Sequence, residues 1–488
     1  MSKIDGAGLA GECPLSGRDG FVGASSYVNR IPESWVGVSI GSVSSVIGGG
    51  TPPSKEESCF APPGEGIPWI TPADLSGYKK TVIRNGKRDL TEKGLRSCSA
   101  KKMPKGSVLF SSRAPVGYVA IAGADLTTNQ GFKSFVFPDG VDSRFAYYQL
   151  RYLKPVAEAM ATGTTFKELS GAAAAKLPFA LAPLNEQHRI ADKLDRVLAH
   201  VAAANEHLSR VGVLLKKFRS AVLEAAISGW LVGNEFELDG FDEVKASELG
   251  FFRGADLPLL PESWAWLPFG SVAQVVSDLR DPSGYGDFIH LAPNNIEPWT
   301  GVVSGCRTIA EDRVFSPKHV FRAGQIVYSK IRPNLCKVAI PEFSGLCSAD
   351  MYPIETRLDE RYLLLYMLSD RFTGWASNSD SRTILPKINK KDLYSIPVPV
   401  PLSLSGQKAI VSKVHALLSI EREVTGALQV TRSQVDELIP SLLAKAFRGD
   451  LVPQDFDDEP ASELLARLAE ANASENQKPI RRKRQTSV

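Results

Sequence analysis

Cysteine, long apolar runs and reactive motifs are all scarce in this sequence, and each scarcity excludes a class of protein. Six cysteines, Cys13, Cys59, Cys98, Cys306, Cys336 and Cys347, are scattered through 488 residues with no C-x-x-C pair. That excludes a zinc ribbon and a disulfide framework, and leaves reduced packing residues. No apolar run approaches the roughly 20 residues of a bilayer span, and the opening MSKIDGAGLAGECPLSGRDG lacks a hydrophobic signal core. A cytoplasmic protein with no membrane partner is therefore expected. No G-x-x-x-x-G-K-[ST] phosphate loop is present, and no G-x-G-x-x-G opens a helix after a strand. Gly48-Gly49-Gly50-Thr51 is followed by Pro52 and Pro53, the chemistry of a turn rather than of a nucleotide cradle. The N/D-P-P-Y/F/W tetrapeptide of aminomethyltransferases is also missing. Of the six histidines, His188, His200, His207, His290, His319 and His415, the pair His200 and His207 shares a helix face. Seven residues separate them by about 10 Å along a helix axis, too far to clasp one metal ion. Asp242-Glu243-Val244-Lys245 faintly resembles a nuclease carboxylate-lysine set but reads as part of an acidic linker. With no catalytic residue and no metal or cofactor site assigned, the chain is expected to recognise rather than react. A net charge of +3 does not by itself argue for nucleic acid, so any basic surface has to be local.

What the sequence does contain is repetition. Gln187 to Val232 lies over Gln407 to Val452 without a gap, a shift of 220 positions. Ile190 meets Ile410, Lys193 meets Lys413, Leu223 meets Leu443 and Gly229 meets Gly449. Internal repetition of this kind outranks local motifs as a guide to architecture. In the first copy Ile190, Leu194, Val197, Val201, Ala204, Leu208, Val211, Leu215, Phe218, Val222 and Ala225 alternate four and three apart. This is a heptad seam and predicts a coiled-coil partner. The second copy holds the register with Ile410, Val414, Leu417, Val424, Leu428, Val435, Leu438 and Leu442, but sets Glu421, Thr431 and Lys445 on the same stripe. Two such stripes of equal length predict two long helices packed on each other, each about 60 Å long at about 1.5 Å per residue. The alternative is an ordinary amphipathic helix inside each domain.

The repeat is larger than the helix. I-P-E-S-W from Ile31, with Gly41-Ser42-Val43 behind it, returns as L-P-E-S-W from Leu260 with Gly270-Ser271-Val272. Gly106 to Ser111 resembles Gly324 to Ser329, each followed by an Arg-Pro element, Arg113-Ala114-Pro115 and Arg332-Pro333. Phe241-Asp242 and Ala246 to Leu249 recur as Phe456-Asp457 and Ala461 to Leu464. The predicted order is a poorly ordered leader (1–30), a first domain (31–182), a long helix (183–232), an acidic linker (233–259), a second domain (260–401), a second long helix (402–452), and a short helix with a disordered basic tail (453–488). Short β-rich runs such as Ile67 to Ile70, Ser107 to Phe110, Tyr118 to Ile121 and Ser134 to Phe137 mix with brief helices, Arg144 to Lys154 and Glu360 to Asp370. That is α+β patterning. Each domain ends in a proline-studded segment, Leu177 to Pro183 and Ile396 to Pro401, predicted to be an extended connector. The last helix is expected to fade past Leu465.

Several segments together carry a resemblance. They are P-L-N-E-Q-H-R-I (Pro183 to Ile190), F-R-S-A-V-L-E-A-A-I-S-G (Phe218 to Gly229), L-L-A-K-A-F-R-G-D-L (Leu442 to Leu451), G-G-G-T-P (Gly48 to Pro52), S-S-R-A-P-V-G (Ser111 to Gly117) and T-N-Q-G-F (Thr128 to Phe132). Across about 31–468 the chain resembles the specificity subunit of a type I restriction-modification system. Two departures are Ser403-Leu404-Ser405-Gly406 ahead of Gln407, where a tighter P-L-x-E-Q is expected, and Ser329-Lys330-Ile331-Arg332-Pro333-Asn334. The resemblance implies two target-recognition domains carried by two antiparallel helices that form a coiled coil, with a pseudo-twofold axis. It implies that the chain binds double-stranded DNA without catalysis of its own, each domain reading one half of a bipartite, asymmetric site. Its partners would be two modification (methyltransferase) subunits, together with restriction/translocase subunits. S-adenosylmethionine, ATP and Mg would belong to those partners, leaving no cofactor in this chain.

Within each domain, loop side chains suited to base edges and phosphate are candidates for DNA contact. In the first these are Thr51, Ser54, Lys55, Ser111, Ser112, Arg113, Asn129, Gln130, Thr164, Thr165 and Lys167; in the second they are Ser329, Lys330, Arg332, Asn334, Arg382 and Thr383. Arg113 and Arg332 could equally pair with acids, and any single polar residue here could simply satisfy a local turn. Two other classes stay open from sequence: a self-contained DNA methyltransferase or nuclease with tandem recognition domains, and a structural coiled-coil adaptor.

Overall fold

The computed structural model describes residues 31–163, 167–232, 257–378 and 386–476. The leader, the basic tail and almost all of the acidic linker lie outside them. The described chain mixes helices with small sheets, and its contacts divide it into two compact units, Met1–Asn205 with Ser433–Val488, and Glu206–Arg432. The boundary runs through both long helices rather than at the ends of the domains read from sequence.

The first unit holds a head built on a five-stranded sheet, ordered Ser45–Gly48, Lys133–Val136, Val108–Ser112, Val116–Ala122 and Val82–Ile83. A four-stranded sheet follows the order Phe60–Ala61, Arg88–Leu90, Ile67–Ile70 and Thr127–Thr128. The core between sheet and helices gathers Trp35, Phe110, Phe135, Phe145 and Phe179 with Ile190 and Leu194 of the central helix. It also takes in Leu443, Ala446 and Phe447 near the end of the distal helix, and Ala461, Leu464 and Leu468. The second unit repeats this plan. A four-stranded sheet runs Ala273–Val275, Met351–Thr356, Ile326–Ser329, Val338–Ala339, and a five-stranded one runs Leu279–Arg280, Lys318–Phe321, Gly345–Cys347, Ile289–Leu291, Arg307–Thr308. Its core joins Phe269, Tyr328, Tyr362, Tyr366 and Phe372 to Val222 and Ala226 on one long helix and Ile410 and Val414 on the other.

One element goes beyond the sequence reading and another differs from it. The proline-rich connectors are strands: Pro178–Leu181 pairs antiparallel with Val36–Ser39, and Pro397–Pro401 with Trp264–Pro268. A two-stranded ladder uses the N–H of every second residue, so Pro397, Pro399 and Pro401 sit where the missing donor is not needed. The outward carbonyls of Pro397 and Pro399 accept instead from the hydroxyls of Tyr366 and Tyr362. The last helix does not fade at Leu465 but runs Ala461–Asn476, because Leu464 and Leu468, one turn apart, dock into the first core.

The long helices span Leu184–Ile227 and Leu404–Ala446. In the second unit Ser209 meets Arg432, Arg219 meets Glu421, and the carbonyl of Leu231 accepts from Lys413. Ascending numbers on one helix match descending numbers on the other, so the pair is antiparallel. Their seam is not buried throughout, as an unbroken heptad stripe had implied. Ile190, Leu194, Val201, Val222, Ile410 and Val414 are buried, and Val197, Leu208, Leu215, Leu417, Leu428, Val435 and Leu442 partly so. Val211, Phe218, Val424 and Leu438 are 36%, 39%, 40% and 46% exposed. The stripe closes where a helix also rests on a head. Elsewhere one partner helix covers only a narrow line of it.

The repeat has a physical meaning at two joints. Gln187 and Gln407 are both fully buried and do the same work. Gln187 Oε1 accepts from the Asp142 N–H at 2.9 Å while its Nε2 donates to the Ala182 carbonyl at 2.8 Å. Gln407 accepts from Asp359 at 2.8 Å and donates to Pro401 at 3.1 Å. Asp142 and Asp359 are the N-caps of the head helices Ser143–Tyr152 and Glu360–Met367, so each glutamine ties a head helix to the root of a long helix. The second joint is Gly229 and Gly449, at φ +83° and +80°, where a Cβ would lie 2.5 Å from Pro261 and 2.2 Å from Pro32. Those prolines belong to the repeated P-E-S-W motif. The departure before Gln407 shows here too: Glu186 accepts from Trp35 Nε1 at 2.9 Å and from Gln454, whereas Gly406 at the matching position has no side chain to offer.

Candidate nucleic-acid interface

Strand ends bring the first head's loops to one rim. Gly48 pairs with Lys133, and the Ser112 N–H donates to the Gly131 carbonyl at 2.7 Å, so the 48–51 turn, the 129–133 turn and Arg113 all leave the sheets at the same end. The Gly50 N–H donates to Thr128 and its carbonyl accepts from Trp69 Nε1 at 3.0 Å, which fixes the turn carrying Thr51. A Cβ on Gly49 would lie 2.0 Å from the Asn129 carbonyl, so only glycine allows this approach.

The candidate residues separate by burial. Thr51 and Gln130 are exposed and hydrogen-bonded side chain to side chain. Asn129 lies beside them, half-buried, its Oδ1 accepting from the Gly131 N–H at 2.9 Å. Ser54, Lys55 and Lys167 are exposed. Arg113 is engaged by Glu168 at 3.4 Å, which also meets Lys133 at 3.8 Å. Ser111 and Ser112 are fully buried and are corrected here to interior positions. Ser111 Oγ donates to the Pro115 carbonyl and accepts from the Tyr118 N–H, both at 2.7 Å, across an irregularity in the ladder. Thr164 and Thr165 lie outside the described residues.

In the second head the rim follows the strand Ile326–Ser329. Ser329 is buried, its hydroxyl donating to the Ile331 carbonyl at 3.1 Å, so it too is interior. Lys330 donates to the Ala349 carbonyl at 2.8 Å and lies 5.1 Å from the centre of the Tyr352 ring. Arg332 and Asn334 are exposed, Arg332 at φ +49°. Arg382 and Thr383 lie outside the described residues.

The structure adds residues that were not singled out from sequence. Lys387 bridges to Asp350 at 3.1 Å, and its backbone pairs with Ile331. Lys337 sits near enough to Arg332 that burial first, and that cation second, lower its pKa. Burial, then Lys330 and Lys390, hold the buried His319 below its ordinary value. Lys387 and Lys390 are separated in sequence from Arg332, and only the fold brings them to this rim. In the first head, residues 76–88 carry Lys79, Lys80, Arg84, Lys87 and Arg88 with no acid. That signal was present in the sequence as a local charge run.

Among the described residues no group of three His, Cys, Asp or Glu is placed to hold a metal ion, and no helix is long and apolar enough to cross a membrane. The arrangement defines a duplicated protein with two sheet-built heads, each joined to the same pair of antiparallel helices and each offering a polar, cationic rim. Comparison with known proteins names the family. Residues 32–211 match the model of the type I restriction modification DNA specificity domain. The chain is 42% identical over 360 residues to the type I restriction enzyme EcoDI specificity subunit of Escherichia coli, covering 70% of this chain and 80% of that one. It is 38% identical over 441 residues to the MjaIX specificity subunit of Methanocaldococcus jannaschii, covering 85% and 94%. A solved chain from a type I restriction-modification system superposes with a TM-score of 0.60 at 19% identity, covering 86% of this chain and 99% of that one, a likeness of fold. The protein belongs to the family of type I restriction enzyme specificity subunits.

Proposed function

We propose that this chain selects the DNA sequence for a type I restriction-modification complex, each head reading one half of a bipartite, asymmetric site. One observation carries the reading: the two units repeat their scaffold and not their rims. Gln187 with Asp142 and Gln407 with Asp359 make the same joint, while the first rim offers Thr51, Asn129 and Gln130 and the second Lys330, Arg332 and Asn334. Asparagine, glutamine and arginine form bidentate pairs with adenine or guanine edges, and lysine and threonine reach phosphate. Different letters on identical mounts make a reader of two unlike half-sites.

The paired helices serve as the spacer, and adenine methylation with S-adenosylmethionine, and ATP- and Mg-dependent cleavage, are assigned to partner subunits. Val213, Leu214, Phe218, Ile420 and Val430 are exposed apolar residues on the helices of the second unit, a surface suited to a protein partner. Co-expression with a modification subunit, followed by mapping of methylated adenines, tests the reading. The expected result is methylation within one two-part sequence of fixed gap; methylation without a two-part motif would overturn it.

A further inference from the structure

We propose that residues 76–88 form a preorganised phosphate-tracking arm, present in the first head alone, which makes that head the electrostatic anchor on DNA. The proposal rests on the DNA-reading function above and says which residues supply its salt-dependent part. Lys79, Lys80, Arg84, Lys87 and Arg88 are exposed and make no ion pair among the described residues. Neighbouring acids are occupied elsewhere. Asp74 accepts from Thr71 and from the Lys87 backbone, and the buried Asp89 accepts from the Gly64 and Gly66 N–H groups. Glu56 holds Lys93, and Asp125 holds Lys102. Those bonds leave Asp74 and Asp89 charged, so the stretch sets five exposed cations against two engaged carboxylates, in a chain whose net charge is only +3.

Its backbone is fixed while Lys79, Lys80, Arg84 and Lys87 make no ion pair among the described residues. Ile83 is buried, and the two-residue strand Val82–Ile83 joins the edge of the five-stranded sheet through Ile121 N–H to the Thr81 carbonyl at 2.8 Å and Gly123 N–H to Ile83 at 2.7 Å. The Tyr78 hydroxyl donates to the Val82 carbonyl at 2.7 Å. A loop already ordered gives up less entropy on binding. Arg88 lies 4.3 Å from the centre of the Phe60 ring, a contact that leaves the edge of a guanidinium free to donate. Its strand neighbour is Trp69, the residue that fixes the Gly50 turn ahead of Thr51. Arg88 and the base-reading turn thus share one end of the four-stranded sheet, while Val82–Ile83 pairs with Ile121–Ala122 at the far end of the other sheet from Ser112 and Val116. The matching connection in the second head, 296–307, carries Glu297 and a single cation, Arg307, which pairs with His290 as Arg88 does with Trp69.

The test uses the full chain co-purified with a modification subunit. Affinity for the cognate duplex is measured by anisotropy from 50 to 300 mM NaCl for the parent and for K79A/K80A/R84A/K87A. Each lost phosphate contact removes close to one unit of slope in a plot of log affinity against log salt. The variant is expected to be shallower by about 2 to 4 units and weaker by roughly 10- to 1,000-fold at the lowest salt, equally on cognate and scrambled duplexes. Its methylated positions and Tm should be unchanged, and K79R/K80R/K87R should behave as the parent. A parental slope in the alanine variant, with site preference still lost in N129A/Q130A, overturns the arm and leaves the DNA reading standing. A parent complex without site preference at any salt overturns both.

Discussion

The pair Arg219 and Glu421 allows the helix packing to be tested by one cycle of substitutions. Glu421 stands on the apolar stripe of the distal helix, where a carboxylate would ordinarily weaken a seam. Its partner is Arg219 Nη1 at 2.9 Å, with the Thr425 hydroxyl donating to its other oxygen at 3.2 Å. The two side chains are only 12% and 17% exposed. Arg219 also donates from Nε to the Trp299 carbonyl at 3.1 Å, a residue held at φ +68°. Arg219→Leu strands a mostly buried carboxylate. Breaking a fully buried pair costs about 3 to 5 kcal/mol, so partial solvation brings the expected loss to about 2 to 3 kcal/mol. Glu421→Leu adds an apolar residue to the stripe and leaves Arg219 its carbonyl, for an expected loss of at most about 1 kcal/mol. Replacing both by leucine should return stability to within about 1 kcal/mol of the parent, since apolar replacement of buried pairs is often neutral or better. Urea unfolding followed by tryptophan fluorescence reports the cycle, Trp299 lying at the site itself. If Arg219→Leu costs under about 0.5 kcal/mol, or if the two single losses simply add, the pair is not a seam contact and the packing argument fails.

Three further outcomes follow from the geometry. Gly449→Ala combines a left-handed φ with a Cβ 2.2 Å from Pro32, whereas Gly324→Ala has a similar φ of +81° and open space around it. The first should cost roughly 2 kcal/mol more than the second in thermal or urea unfolding, and equal losses would show that the Gly449 joint is not tight. His319 has a lowered pKa, caused chiefly by burial and then by Lys330 and Lys390. A group depressed in the folded state adds stability above its unfolded value of 6.5 and loses it as pH falls through the folded value. The Tm advantage of the parent over His319→Gln should therefore shrink between about pH 7 and pH 5, and a constant advantage would refute the assignment. Deleting one heptad from both helices removes about 10 Å of rod, so the methylated half-sites should accept a gap shorter by about three base pairs at 3.4 Å per step. An unchanged gap would remove the helices from the measuring role.

The duplicated architecture was legible because its signals are periodic or local. A 220-residue shift without a gap marks Gln187 and Gln407 before any coordinates are known, and the structure shows why: each side chain makes the same bonds across 45 and 48 residues of sequence. The proline connectors read as extended from sequence, because proline excludes helix, but their pairing does not show there. Only the ladder shows that Val398 and Val400 carry the pairing while the prolines face away. The cap helix was cut short for a related reason. Leu464 and Leu468 have value only in the core that holds Phe145 and Phe179, which lie far away in sequence.

The rims were legible in kind and only partly in membership, and the reason is how chemical type and burial separate. Serine reads as a contact residue wherever it stands beside Arg-Pro, yet Ser111 and Ser329 stand in strands buried on both faces and satisfy carbonyls there. The opposite error hid the 76–88 arm. A chain with 57 basic and 54 acidic residues balances in total, and a total does not show that Asp74 and Asp89 are taken up by backbone N–H groups while the neighbouring lysines keep their charge exposed. For binding to a polyanion the relevant quantity is charge left unpaired on one head, because counterions are released by contacts and not by composition. On that measure the first head stands well above what net charge suggests. The second adds Lys387, whose backbone pairs with Ile331, and Lys390, beside His319, to the local Lys330, Arg332 and Lys337, and no local motif joins those two groups.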